Sequence, residues 1–182
     1  MDKALEAKNP LMVVDVESVG LHGEGFAVAW AVWAAGAPAG AAPLAQGLWA
    51  CPPRAARGTA ADMAWVLAHV PPLPAACATP ADVRARFWAD WLLWREKGAY
   101  MLVDCGWPVE AQFLSACVAE AGSDAAALGP YPLLDLATLR ALHASPLATL
   151  AQRPPDEMPA HDLRADVRQT HRLWQALMLY KK

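Results

Sequence analysis

Four acidic side chains and one histidine, scattered along 182 residues, are the groups in this sequence whose types and spacing could do chemistry. In the stretch LMVVDVESVG, from Leu11 to Gly20, a short apolar run leads straight into Asp15 and Glu17. On an extended strand alternate side chains share a face, so these two carboxylates project one way while Val14 and Val16 project the other. Like charges held together at an apolar edge are costly unless a cation lies between them. Oxygen ligands of this kind suit a hard divalent ion, Mg²⁺ or Mn²⁺. Near the other end of the chain stands His161-Asp162-Leu163-Arg164-Ala165-Asp166. A regular apolar face follows Asp162, through Leu163, Val167, Thr170, Trp174 and Leu177. That spacing predicts a final helix capped by Asp162, with Asp166 in its second turn. Inside one helix His161 and Asp166 would be splayed roughly 140° apart. With His161 in the lead-in loop, both can point into one cleft. Histidine changes its protonation near neutral pH, which suits a general base.

The elements that must position these groups follow from periodicity. Leu11 onward reads as a first strand, Gly20 to Gly25 as a turn, and Phe26 to Trp33 as a strand apolar on both faces. A Gly/Pro/Ala turn leads to a third strand over Leu44 to Ala50, completing an antiparallel meander. Ala60 to Val70 reads as a short helix. A longer one starts at Thr79-Pro80-Ala81-Asp82, with Thr as cap, Pro first and Asp near the positive end. It stops at Gly98, and its stripe of Val83, Phe87, Trp88, Trp91, Leu92 and Trp94 reads as core. Ala99 to Cys105 reads as a fourth strand, Pro108 to Ala121 as a helix, and Tyr131 to Leu136 as a fifth strand. Ala137 to His143 reads as a helix, and the proline-rich Ala144 to Ala160 as a long loop. The pattern predicts an α/β fold in one domain with its core over about 11–179: a mixed five-stranded sheet, antiparallel in its first three strands, flanked by helices.

Bulk properties agree with such a fold. A chain 56% hydrophobic and 18% charged is not a disordered one. The net charge of −3 provides no global field for nucleic acid, although a carboxylate cluster itself makes a sequence more acidic. Cys51, Cys77, Cys105 and Cys117 show neither Cys-x-x-Cys pairs nor zinc spacing, and read as reduced thiols of a cytoplasmic protein. The polar N-terminus is not a signal peptide, and no apolar run is long enough to cross a bilayer. The nine tryptophans leave room for an apolar homodimer interface.

Together the motifs resemble the DEDD superfamily of 3′–5′ exonucleases, in its histidine-containing branch. Asp15-Val16-Glu17-Ser18-Val19-Gly20-Leu21 matches the family's Asp-x-Glu-x-x-Gly-Leu run. His161 to Asp166 matches its last motif, and Leu133-Leu134-Asp135-Leu136 is similar to the segment between the second and third. The second motif departs from the pattern. Glu110-Ala111-Gln112-Phe113-Leu114 has its spacing but Glu in place of Asp, while Asp104 closes the preceding strand; of the two, a short stiff Asp at a strand end is preferred. The resemblance implies a ribonuclease H-like fold and hydrolysis at single-stranded DNA or RNA 3′ ends. It implies two Mg²⁺ or Mn²⁺ ions on Asp15, Glu17, Asp166 and Asp104, or Glu110 as the alternative to Asp104. His161 would take the proton of the attacking water. Leu21 and Phe26, around the glycine turn, are candidates for holding the terminal base. His22, His69, His143 and His171 read as structural or surface residues, and Arg164, Arg168 and Arg172 as a solvated face. Two alternatives stand beside this reading: a weakly active or inactive nucleic-acid-binding module on the same fold, and an all-helical HD-type phosphohydrolase.

Overall fold

The computed structural model describes residues 9–38, 40–142, 153–155 and 158–179. Its strands are β1 (Leu11–Ser18), β2 (Gly25–Trp33), β3 (Ala45–Ala50), β4 (Tyr100–Val103) and β5 (Leu133–Asp135). Its helices are α1 (Ala60–His69), α2 (Pro80–Arg95), α3 (Ala111–Ala121), α4 (Leu136–Leu142) and α5 (Leu163–Leu179). The strands form one mixed open sheet in the order β3-β2-β1-β4-β5. β1 to β3 pair antiparallel, and β4 and β5 join in parallel beside β1. This sheet excludes the all-helical alternative. His143 and most of the proline-rich loop fall outside the described residues.

The sheet's two faces explain what sits where. In an antiparallel pair, directly opposed residues share a face. Asp15 lies opposite Ala29 and Glu17 opposite Ala27, so the acidic edge of β1 continues across β2 as Ala27, Ala29, Ala31 and Trp33. α5 packs on this face. Its His171 ring stacks on Trp33 with centroids 3.9 Å and planes 6° apart. The three small alanines let the helix lie close to the sheet, next to the carboxylates of β1. The opposite face carries Val16, Val14 and Met12, continued by Val28, Trp30 and Val32, and is covered by α2. There the Asp90 carboxylate accepts from the indole N–H of both Trp30 (3.0 Å) and Trp49 (2.6 Å).

α2 begins with a reciprocal cap. The Thr79 hydroxyl accepts from Asp82 N–H, and the Asp82 carboxylate accepts from Thr79 N–H. Val83, Phe87, Trp88 and Trp91 are buried, so the tryptophan stripe is core. α3 departs from the sequence expectation. It starts at Ala111, and Pro108 lies in a wide turn over Gly106–Glu110 in which Trp107 is extended (φ −124°, ψ 135°). The Asp135 carboxylate at the end of β5 accepts from Gly106 N–H (2.6 Å) and Thr138 N–H (2.6 Å), tying that turn to the start of α4. Among the described residues no helix is long and apolar enough to cross a membrane. All four cysteines are free, with Cys105 exposed and the other three buried.

Candidate metal centre

One carboxylate oxygen from each of Asp15, Glu17 and Asp166 lies within 4.8 Å of the others. Two come from one face of β1, and the third from the helix packed on that face. Asp162 starts the helix, its Oδ1 accepting from the N–H groups of Arg164 (3.0 Å) and Ala165 (3.2 Å). Asp166 is therefore the fourth helical residue, in the first turn rather than the second. His161 precedes the cap with a left-handed backbone (φ 65°). That turn aims its ring back at the sheet, where Nδ1 and Glu17 Oε1 share a hydrogen bond of 3.2 Å. The exposed indole of Trp65, on α1, meets the imidazole edge-on with centroids 5.1 Å apart.

Crowding of acids governs the electrostatics. Burial, then repulsion from Asp166, Glu110, Glu17 and Asp104, holds the Asp15 carboxyl well above the usual carboxylate range. Burial, with Asp166 and Glu110, pushes Glu17 up to about 8. Burial raises Glu110 to about 7, against hydrogen bonds from its own and the Val16 backbone. Asp166 is also raised, again chiefly by burial, although Arg153 and His161 pull it down. Glu110, only 7% exposed, thus repels both Asp15 and Glu17, whereas Asp104 acts on Asp15 alone of the two. Asp104, preferred in the sequence as the second-motif carboxylate, and Glu110, its alternative, both line the cavity that holds Asp15, Glu17 and Asp166, and Glu110 is the more deeply buried of the two.

The residues present suit a divalent ion. The donors are all oxygens, they are desolvated, and their mutual repulsion is not cancelled by the cations nearby. Asp104 adds a separate sign. Its side chain as a whole is 45% exposed, yet Oδ1 is buried and has no hydrogen-bond partner among the described residues. Arg140 Nη1 lies 3.8 Å from that oxygen, beyond hydrogen-bond distance. An unsatisfied buried oxygen of this kind is costly, and a cation would satisfy it. Burial raises the Asp104 carboxyl, with Arg140 and Arg153 opposing.

These groups line a cavity of about 560 Å³ that also includes Leu21, Trp65, Trp107 and Arg153. Leu21 is 66% exposed at its rim, with Trp65 and Trp107 also exposed. Phe26 is overturned as a substrate contact: it is 1% exposed, packed in the core, and does not line the cavity. An apolar residue in a strand covered on both faces is driven into the core. His22 meets Gln112 (3.2 Å), His69 stacks on Trp65, and His171 is buried, none of them in the cavity. Sequence reasoning missed Trp65, Trp107 and Arg153. The first had a signal, a large apolar residue on the outer face of a short helix, but a lone arginine in a proline-rich loop had none. No protein-family model and no curated protein matches the chain.

Proposed function

We propose that the chain is a Mg²⁺- or Mn²⁺-dependent 3′–5′ exonuclease with a ribonuclease H-like fold, acting in the cytoplasm on single-stranded DNA or RNA. The observation that carries this reading is the convergence of Asp15, Glu17 and Asp166 on one point, with His161 bonded to Glu17. The motif resemblance supplies the reaction class. Asp15, Glu17 and Asp166 would hold one cation, and Glu110 with Asp104 would support a second. A bound cation supplies charge neutralisation and polarisation at the scissile phosphate. Glu17 orients the imidazole through Nδ1, leaving Nε2 to accept the proton of the attacking water. Leu21, Trp65 and Trp107 offer apolar contact to a nucleobase at the cavity rim. The α5 helix packs on β1 and so places Asp166 beside Asp15 and Glu17.

The test is an end-labelled strand, DNA or RNA, incubated with the protein with and without Mn²⁺. Expected is a ladder shortening from the 3′ end that needs both Mn²⁺ and an intact Asp15, and is lost in Asp15→Ala. His161→Ala should slow hydrolysis by about 10²- to 10⁴-fold, the usual range for a general base, while strand binding changes little. Absence of Mn²⁺-dependent shortening on both substrates overturns the proposal.

A further inference from the structure

Arg153 enters the acidic cavity from the proline-rich segment before α5 and pairs with Asp166, Nη1 donating to Oδ1. Both side chains are largely buried, at 23% and 12% exposure. The same guanidinium draws down the Asp104 carboxyl at the end of β4, so it serves acids from two separate elements. Arginine suits such a place because its planar fork matches a carboxylate and its charge is weakly hydrated. Asp166 is also one of the three acids whose oxygens gather within 4.8 Å. A divalent ion held by Asp15, Glu17 and Asp166 would face a guanidinium bonded to one of its own ligands, and like charges so close repel strongly.

We propose that Arg153 is the resident counter-ion of this centre, holding Asp166 in the free protein and displaced when a divalent cation binds. The proposal rests on reading Asp15, Glu17 and Asp166 as a metal site. It gives Arg153 two opposite effects. The guanidinium steadies the acidic cavity while no divalent cation is bound, and it opposes the ion that replaces it. A purely structural ion pair would have the first effect only.

The experiment titrates the full chain with Mn²⁺ in the absence of nucleic acid, reading free Mn²⁺ by electron paramagnetic resonance, and melts the same samples in chelator and in saturating Mn²⁺. Arg153→Ala is expected to bind Mn²⁺ at least about tenfold more tightly than the wild type, because a like-charge juxtaposition is removed. Arg153→Lys, which keeps the charge, should stay near the wild type. In chelator Arg153→Ala should melt below the wild type, and saturating Mn²⁺ should close or reverse that gap. Should Arg153→Ala fail to fold, Arg153→Gln is read by the same criteria. Equal or weaker Mn²⁺ binding in the neutral variant overturns the counter-ion role while leaving the metal centre standing. Failure of both wild type and neutral variant to bind millimolar Mn²⁺ overturns the metal centre, and this proposal with it.

Discussion

Glu110 reaches the acidic centre from a turn rather than from a strand end. The wide turn over Gly106–Glu110 sinks its side chain to 7% exposure, and that burial pushes its carboxyl up to about 7. Asp104 is shorter and remains half-open to solvent, with Arg140 and Arg153 beside it. These settings separate the two roles. Asp104→Asn is expected to lower activity within the roughly 10- to 100-fold range of a residue that only supports a ligand, and Glu110→Gln to lower it further. Turnover in Mn²⁺ for both variants checks this, and the reverse order would return the role to Asp104. The residues of β1 and of the last motif were legible because a short sequence window contains their spacing. The choice between Asp104 and Glu110 was not, because where their side chains lie depends on how the turn between them is held, including the bond from Gly106 N–H to Asp135 across 29 residues.

At the scale of elements, the turn after β1 is as specific as the strand itself. Gly20 sits at φ +80°, and a Cβ there would lie 2.4 Å from Cγ of Asp62 on α1. Gly20→Ala meets both a left-handed backbone and a carboxylate, so it should destabilise the protein by about 1–3 kcal/mol. Urea unfolding at fixed pH measures the loss; a change within error would mean the turn relaxes freely. The same scale shows why α3 begins later than its proline suggests. Pro at the first helical position is a local rule, but Trp107 is extended and Gly106 is held by the end of β5. α5, by contrast, follows its local signals: the Asp162 cap and apolar face place both its start and its buried side.

For the whole molecule, the raised carboxyls couple stability to pH and to cations. Glu17 moves from 4.5 to about 8 and Glu110 from 4.5 to about 7, with Asp15 and Asp166 raised as well. Between those limits the native state holds protons that the unfolded chain has released, so stability falls as pH rises from about 4.5 toward about 8. Buried His171, lowered from 6.5 to about 4, acts in the opposite sense below 6.5. The unopposed fall therefore lies between 6.5 and about 8. In chelator, melting temperature should drop across that interval, and saturating Mn²⁺ should flatten or invert the slope because a cation favours the ionised carboxylates. A chelator profile that climbs toward pH 8 would contradict a desolvated acidic centre.

By itself the sequence determined the alternation that makes three antiparallel strands, the caps and faces of α2 and α5, and the two motifs at opposite ends of the chain. Those features are set by side-chain periodicity and hydrogen bonding over a few residues. Only the tertiary structure decided that Phe26 is core, that Glu110 is buried in the acidic cavity while Asp104 stays half-open, and that Arg153 pairs with Asp166. Each depends on which elements the sheet brings into contact, and the alanine face of β2 that admits α5 acquires its meaning only once the helix lies on it.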